Sequence, residues 1–307
     1  MMYFALITFF LFAVVVGSFL NVVIYRYNTG LSIAKGRSKC FSCGTQLGAT
    51  DLVPVFSYLF NKGKCAHCKS VISPQYPAVE LLTAFLLTGI FYAYYFASSD
   101  SVFIGMPLFD GVAIGSGIQF LFLIIDLIVA ALLIVIGVYD IKHKIIPDGL
   151  VYAAAVLAFV KMLTALLVFG TSGTWVFIYS ILGGALAALP FALLWLVSGG
   201  RWMGLGDAKL ALVIGWALGV GYGFTAIVYS FWIGCIAALA IMLLRELIEA
   251  FSSKNNALQI KLFKSKTVAK IMKYLPALKL KSELPFGPYM IIGLYVVYFT
   301  GKTLFGL

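Results

Sequence analysis

The chain contains repeated apolar runs that are each long enough to cross a lipid bilayer, and this feature limits its possible folds more than any other. A transmembrane helix needs about 20 apolar residues in succession. Hydrophobic residues make up 63% of the chain and charged residues only 11%, which is far outside the composition of soluble globular domains. We therefore expect an all-α polytopic membrane protein whose apolar surface faces the lipid bilayer and neighbouring helices.

The number of spans depends on the apolar segment at residues 208–244. As one straight helix this segment would be about 55 Å long, whereas the hydrocarbon core is only ~30 Å thick. Glycines crowd its centre at Gly219, Gly221 and Gly223, so we predict a hairpin of two spans, the first of them short. About eight transmembrane helices result, at residues 2–25, 77–97, 118–139, 149–170, 175–197, 208–221, 224–244 and 285–301. Residues 98–117 are predicted to form a loop.

The basic residues support eight spans, because 20 of the 22 Lys and Arg fall in four loops, at 26–76, 140–148, 198–209 and 245–284. With eight spans, all four loops lie on the same side of the membrane. If residues 208–244 formed a single span, the last loop, at 245–284, would lie on the other side. By the positive-inside rule these loops are cytoplasmic and both termini are outside. The net charge of +11 is thus explained by membrane topology, and no nucleic-acid partner is predicted.

The basic cytoplasmic loop at 250–284 is rich in lysine, with apolar residues between the lysines. Such a pattern is typical of an amphipathic helix on an anionic leaflet. A solvated basic linker explains the same composition equally well, so both interpretations stay open.

Two aspartates stand at the predicted cytoplasmic ends of different spans. Asp140 begins the sequence DIKHKIIPD after the third span, and Asp207 ends the sequence GLGD before the sixth. Both lie at the same predicted depth, so the fold can bring them together. Two carboxyl groups in a poorly solvated site share a proton, and such a pair can hydrolyse a peptide bond by general acid–base catalysis. Gly204 and Gly206 let a partner or substrate approach the backbone closely.

An alternative interpretation makes Asp140 and Asp207 ordinary interfacial carboxylates beside Lys142, Lys144 and Lys209. A GxGD sequence alone is weak evidence for catalysis. Its placement opposite a second aspartate is what favours a catalytic pair.

Four cysteines form two CxxC pairs in the predicted cytoplasmic loop, Cys40 with Cys43 and Cys65 with Cys68. Four thiolates at this spacing can close a tetrahedral zinc site, as in zinc ribbons. Disulfides do not normally persist in the cytoplasm, so zinc is favoured. We expect a small zinc-ribbon-like domain between the first and second spans.

Two further residues are expected to have no part in the zinc site. His67 lies inside the second CxxC pair and is predicted to be a spectator. Cys235 stands alone in an apolar run and is predicted to be a small core residue.

Two charges, Asp126 and Lys161, lie well inside predicted spans. Asp126 precedes Asp140 on the third span, and Lys161 follows Asp148 by a nearly equal stretch on the next, antiparallel span. Both therefore lie about 20 Å from the cytoplasmic end, at a rise of about 1.5 Å per residue. An isolated charge at that depth is costly, so we predict a salt bridge that fixes the third span against the fourth. The alternative is that Lys161 reaches the interface alone.

Taken together, these motifs resemble the bacterial type IV prepilin peptidases, which are leader peptidases and N-methyltransferases. The resemblance runs along nearly the whole chain and in the order of that family. It is carried by residues 17–26 (GSFLNVVIYR), the two CxxC pairs with 63–65 (GKC) and 76–80 (YPAVE), residues 140–148, residues 204–209 (GLGDAK) and residues 284–288 (LPFGP).

The resemblance implies an enzyme of the inner membrane with two activities. It would cleave the leader of type IV prepilins or pseudopilins on the cytoplasmic side, with Asp140 and Asp207 as the catalytic pair. It would then methylate the new N-terminal amine, using S-adenosylmethionine. No motif marks the residues that bind this methyl donor. The implied organisation is a first transmembrane helix at 1–25, a zinc-binding domain at 26–76 and a membrane-embedded peptidase domain at 77–307.

The chain departs from the usual pattern of the family at two places. The basic loop at 250–284 is longer than usual, and residues 27–29 lack the Leu-Pro that often follows the first motif. The second departure bears on methyl transfer more than on proteolysis.

Two other classes of function compete with the peptidase. A polytopic transporter or channel with a structural zinc knob would need acidic groups near the middle of the membrane, whereas Asp140 and Asp207 are predicted at the boundary. A zinc-ribbon membrane anchor for a partner would have no need of glycines beside an acid.

Overall fold

The computed structural model describes residues 2–95, 116–253 and 285–304. Most of the predicted loop at 98–117 and most of the basic loop at 250–284 lie outside these residues. The helices are α1 (Met2–Arg26), α2 (Phe56–Phe60), α3 (Gln75–Tyr95), α4 (Ser116–His143), α5 (Asp148–Val168), α6 (Gly170–Ser198), α7 (Leu205–Ser253) and α8 (Gly287–Thr300). A short 3₁₀ helix, Thr50–Leu52, precedes α2.

Six of these helices, α1 and α3–α7, are long and apolar enough to cross a membrane, and α8 is a shorter apolar helix. The described residues contain no strand beyond two isolated β-bridges in the cysteine segment. The predicted all-α membrane fold is therefore confirmed. The observed helices begin or end a few residues beyond most predicted spans, and α4 continues to His143, so that Asp140 lies on the helix rather than after it.

The long helix α7 reverses direction at Gly219, which has a non-helical backbone (φ 77°, ψ −171°). This combination of angles is essentially restricted to glycine. In a continuous helix, residues eight apart would be about 12 Å apart along the axis. Instead, a Cβ built on Gly223 would lie 3.1 Å from the Cα of Gly215. The predicted hairpin is confirmed, with its turn at Gly219.

Close backbone contacts hold the helices together. A Cβ built on Gly17 of α1 would lie 2.7 Å from the Cα of Glu80 on α3. On α6, one built on Gly183 would collide with the carbonyl carbon of Gly219. The absence of side chains at these contacts lets neighbouring backbones approach closely, as is usual in membrane bundles. The side chains at the centre of the bundle are fully buried, among them Leu133, Ile136, Leu210, Ile214 and Met290.

The predicted salt bridge within the membrane is present. The ammonium of Lys161 lies 2.7 Å from Oδ1 and 2.8 Å from Oδ2 of Asp126, and it donates hydrogen bonds to both oxygens. The hydroxyl of Tyr94 on α3 donates to Oδ2 of the same carboxylate (2.6 Å). The pair therefore joins three helices, α3, α4 and α5, whereas the sequence predicted a link between only two.

The prediction for Cys235 was wrong. Its side chain is exposed rather than buried. The second half of α7 presents an exposed outer face that also includes Ile236 and Leu239. In a membrane protein such a face meets lipid, so an apolar sequence environment does not distinguish a core position from a lipid-facing one.

Candidate functional site

Asp140 lies in the last turn of α4, in a fixed backbone environment. The N–H of Lys144 donates to the carbonyl of Asp140 (2.7 Å). Lys144 has a left-handed backbone (φ 53°), which ends the helix in the manner of a C-terminal cap. Asp140 is only 4% exposed, so its carboxyl group is held in a poorly solvated place.

Asp207 lies in the first turn of α7, where its backbone N–H donates to the carbonyl of Gly204 (3.3 Å). The residue is half-buried. Its neighbour Gly206 lies against Ile146, and so does Gly287, which contacts the carboxyl group of Asp140. The segments that carry the two aspartates thus lie around one side chain, that of Ile146, although they belong to different helices that are far apart in the sequence.

A backbone amide from a third helix supports Asp140. The N–H of Gly287, the first residue of α8, donates to Oδ2 of Asp140 (3.1 Å). The preceding residue, Phe286, fixes this segment, because its ring packs against those of Phe231 (4.8 Å between centroids) and Phe191 (6.0 Å). Asp140 therefore keeps its Oδ2 hydrogen-bonded to protein.

The glycines around the pair leave room for one aliphatic side chain, that of Ile146. A Cβ built on Gly206 would lie 2.9 Å from the Cβ of Ile146, and one built on Gly287 would lie 3.5 Å from its Cδ1. Ile146 thus contacts both backbone segments that carry or support an aspartate. An apolar wall at this position limits water around the carboxyl groups.

The neighbouring lysines are engaged with other groups. Lys209 forms an ion pair with Asp148 (2.8 Å) and lies over the ring of Tyr152. Lys142 lies over the ring of Tyr25, 3.5 Å from its centroid. Within the described ranges neither Asp140 nor Asp207 forms an ion pair with a lysine. The alternative of simple interfacial carboxylates beside basic residues therefore finds no support in these contacts.

The four predicted metal ligands also meet. The sulfur atoms of Cys40, Cys43, Cys65 and Cys68 all lie within 4.8 Å of one another, and those of Cys40 and Cys68 are 3.9 Å apart. A tetrahedral zinc ion with bonds of about 2.3 Å places its sulfur ligands roughly 3.8 Å apart. The cluster therefore fits a metal ion of this size and geometry.

The two CxxC pairs form matching turns. The N–H of Gly44 donates to the carbonyl of Cys40 (2.9 Å), and the N–H of Lys69 donates to that of Cys65 (3.0 Å). Both donors have a left-handed backbone, with φ of 72° at Gly44 and 58° at Lys69. The sequence indicated the first turn through its glycine, but the second has a lysine at the same place and gives no such signal.

Local hydrogen bonds favour the thiolate form at two of the four cysteines, Cys40 and Cys68. Hydrogen bonds from the backbone of Cys43 and Ser42 lower the pKa of the Cys40 thiol to about 6. The hydroxyl and backbone of Ser70 lower the pKa of Cys68. His67 instead lies 3.7 Å from a carboxylate oxygen of Asp51, outside the group of four sulfurs.

Comparison with known proteins finds matches to two segments of the chain. The model of the bacterial peptidase A24 N-terminal domain matches residues 11–94, and that of the type IV leader peptidase family matches residues 127–241. A prepilin leader peptidase/N-methyltransferase of Bacillus subtilis (strain 168) is 32% identical over 235 residues, 76% of this chain and 82% of the relative. The chain belongs to the type IV leader peptidase family.

Other members of the leader peptidase family match comparable lengths. The prepilin leader peptidase/N-methyltransferase of Klebsiella pneumoniae is 31% identical over 225 residues, 68% of this chain and 83% of that protein. One from Aeromonas hydrophila is 26% identical over 332 residues, 99% of this chain and 92% of the relative. No solved structure matches the chain significantly. Membership confirms the predicted peptidase class and agrees with a multi-pass membrane protein.

Sequence analysis gave no role to one residue of this site, Gly287. The LPFGP sequence at 284–288 entered only as part of a resemblance, without a role. In the structure its glycine, Gly287, contacts Asp140 from a distant part of the chain. The sequence does show a glycine next to a proline at the start of a span. That pattern does not indicate which residue the glycine contacts.

Proposed function

We propose that this chain is a membrane aspartyl endopeptidase that removes the leader of type IV prepilins or pseudopilins, with Asp140 and Asp207 as its catalytic pair. The observation that carries the proposal is that two aspartates from different helices lie beside Ile146 in a poorly solvated place, where the N–H of Gly287 holds Asp140. The names of the relatives, which are prepilin leader peptidases, supply the substrate class. The four Lys/Arg-rich loops favour a cytoplasmic location for this site.

The reaction follows from the pair acting as acid and base. The ionised carboxylate accepts a proton from a water molecule as the water oxygen attacks the carbonyl carbon of the scissile bond. The protonated carboxyl group donates its proton to the carbonyl oxygen. The tetrahedral gem-diol then collapses, and the C–N bond breaks as the departing nitrogen takes the proton that the first carboxyl group accepted from water. One hydroxyl proton of the gem-diol returns to the second carboxylate, which restores the starting state of the pair. The amide of Gly287 holds Oδ2 of Asp140, which orients that carboxyl group throughout.

The second half of the proposal is methylation of the new N-terminal amine with S-adenosylmethionine. It rests on the resemblance and on the N-methyltransferase activity in the names of the relatives. Cys40, Cys43, Cys65 and Cys68 would hold a zinc ion. Four sulfur ligands leave no open position, so this ion would stabilise the domain at 26–76 and take no part in the chemistry.

The transporter alternative is not favoured by the placement of charge. A transport pathway needs ionisable groups near mid-membrane that face a cavity or an ion. The mid-membrane carboxylate Asp126 is instead tied to Lys161 and Tyr94. The acidic pair lies at helix ends, where a cytoplasmic peptide can reach it.

The proposal is tested by incubating the purified full chain, in lipid vesicles, with a prepilin and S-adenosylmethionine, and by measuring intact masses. We expect loss of the leader followed by a gain of one methyl group. Cleavage should occur when the prepilin is supplied only on the side of the vesicle membrane that carries the Lys/Arg-rich loops. An unchanged prepilin mass under conditions in which a known family member cleaves it would contradict the proposal.

A further inference from the structure

The short helix α2 carries large apolar side chains on its outer side. Phe56, Leu59 and Phe60 are all more than half exposed. They share one face of the helix because residues three and four apart are neighbours on a helix surface. The ring centroids of Phe56 and Phe60 are 6.5 Å apart. We call these three residues the α2 apolar face.

The opposite side of α2 faces the protein with polar groups. Ser57, Tyr58 and, just after the helix, Asn61 line a cavity of about 610 Å³ beside α1 and α3, whereas the three residues of the α2 apolar face lie outside its lining. This is the reverse of the usual arrangement, in which a surface helix turns its apolar side toward the core. Apolar side chains exposed together in this way indicate an interaction surface.

A hydrogen bond ties α2 to a membrane-spanning helix. Val55, the residue before α2, donates its N–H to Oε2 of Glu80 on α3 (2.7 Å). The side chain of Val55 also packs against the core of the helix bundle. Glu80 is itself buried against α1, since a Cβ built on Gly17 would lie 2.7 Å from the Cα of Glu80. The start of α2 is therefore attached within the bundle and not above it.

The backbone at this attachment is strained. Val55 has φ of 60° and ψ of −52°, and the N–H of Phe56 donates to the carbonyl of Pro54 (2.6 Å). This is the rare form of γ-turn. Such a backbone persists only where the surrounding structure fixes it, and the carboxylate of Glu80 does so here. The position of α2 relative to α3 is therefore defined.

The attachment lies near the boundary between lipid headgroups and acyl chains. The 21 residues of α3 are about 32 Å long, close to the ~30 Å thickness of a hydrocarbon core. Glu80 follows the first residue of α3, Gln75, by five positions, or about 8 Å at a rise of about 1.5 Å per residue. Interfacial helices bury their apolar faces about 5–10 Å into this boundary. The α2 apolar face thus lies at the depth where lipid can cover it.

The charges near α2 suit an anionic membrane surface. Lys62 and Lys64 follow the helix closely, and both are exposed. Residues 26–76 contain seven Lys and Arg but only one acidic residue, Asp51. An apolar face with lysines beside it is typical of segments that bind negatively charged leaflets.

We propose that α2 is a membrane-interface anchor. The α2 apolar face inserts among the first acyl carbons of the leaflet, and Lys62 and Lys64 contact the phosphates of anionic lipids. The cysteine segment is then held to the membrane by α2 as well as by its connections to α1 and α3. A lipid surface fits better than a soluble protein because the face lies at membrane depth. The anchor is independent of both activities in the proposed function.

The experiment uses the full chain in nanodiscs of phosphatidylcholine and phosphatidylglycerol, where some phosphatidylglycerol carries a diazirine near the start of an acyl chain. After photolysis, mass spectrometry maps the labelled residues. Leu82, exposed on α3 two residues after Glu80, is the internal reference for lipid at this depth. We expect Phe56, Leu59 or Phe60 to be labelled to an extent similar to Leu82.

A double variant tests the α2 apolar face itself. Leu59→Ser combined with Phe60→Ser should lower the label at Phe56, relative to Leu82, by at least about tenfold, because two large apolar side chains no longer favour insertion. Val71→Ser is the matched control, since it removes an exposed apolar side chain elsewhere in the cysteine segment. It should leave the label at Phe56 unchanged.

A second double variant tests the charges. Lys62→Gln combined with Lys64→Gln should lower the label at Phe56 in nanodiscs that contain phosphatidylglycerol. The same variant should have no effect in nanodiscs of phosphatidylcholine alone, labelled with a diazirine phosphatidylcholine, because there the lysines have no net negative charge to attract them.

Four results would overturn the anchor. The first is an unlabelled α2 apolar face beside a labelled Leu82. The second is an unchanged label at Phe56 in the variant with serine at 59 and 60. A label that disappears when each nanodisc holds two chains would assign the face to a second copy of the chain. A label that disappears on addition of a prepilin would assign the face to the substrate.

Discussion

At the scale of single residues, the candidate active site depends on two glycines as much as on the two carboxyl groups. Gly287 brings a backbone N–H to Asp140, and Gly206 lets α7 approach Ile146. Sequence analysis identified both aspartates because an acid in an apolar chain is conspicuous. It assigned Gly206 only a general role and gave Gly287 none, because a backbone contact between such distant parts of the chain leaves no local pattern.

Gly287→Ala should slow leader cleavage by about tenfold to a hundredfold, because small displacements of catalytic groups are costly. A Cβ at this position would lie 2.7 Å from Oδ2 of Asp140, so the carboxyl group or α8 must shift. Gly117→Ala is the control, since a Cβ there meets nothing within 4 Å. Initial rates on a purified prepilin decide the matter, and equal rates for the two variants would show that the contact has no catalytic consequence.

At the scale of helices, charge and glycine set the arrangement of the bundle. Counting residues from the cytoplasmic ends predicted the pairing of Asp126 with Lys161, because helical rise converts sequence distance into membrane depth. The same arithmetic predicted the hairpin in α7, since one helix would be too long for the bilayer. It could not predict that Tyr94 joins the ion pair, or that Cys235 faces outward, because depth does not specify which face of a helix points inward.

Asp126→Asn and Lys161→Met should each reduce the free energy of unfolding by about 3–5 kcal/mol, because each change leaves a buried charge without its partner. The double variant should lose less than the sum of the two, as contacting residues do. Thermal or denaturant unfolding in detergent measures this. Asp148→Asn is the control, because it breaks the more exposed ion pair with Lys209. It should reduce the free energy of unfolding by less than about 1 kcal/mol. Strictly additive losses at 126 and 161 would contradict a stabilising pair.

At the scale of the whole molecule, two sites occupy different parts of the chain. The cysteine cluster lies between α1 and α3, above a cavity of about 610 Å³ that both helices line, and the aspartates lie where α4, α7 and α8 meet. The CxxC spacing was enough to predict that the four cysteines meet, because ligands of one metal ion must lie within a few Å of one another. The cavity could not be predicted, since its walls come from helices and turns that only the fold brings together.

Cys43→Ser should release the metal and disorder the cysteine segment, with a larger loss of methyl transfer than of leader cleavage. The physical reason for the smaller effect on cleavage is that the aspartates lie on α4 and α7, away from the cysteine segment. Metal analysis should find about one zinc per wild-type chain, as a closed four-cysteine site requires. Cys235→Ser, at an exposed cysteine outside the cluster, should keep the metal. A wild-type zinc content far below one, or equal loss of both activities in Cys43→Ser, would contradict this division.

The catalytic role of the aspartate pair is tested most directly by the rate of leader removal in Asp140→Asn and Asp207→Asn. Asparagine keeps the shape of the side chain but can neither ionise nor share a proton, so each variant should lose at least about a thousandfold in rate. Asp148→Asn, the same change at a nearby exposed aspartate, should retain most activity. Near-normal processing of a prepilin by Asp207→Asn, in membranes that contain a normal amount of the protein, would contradict the account.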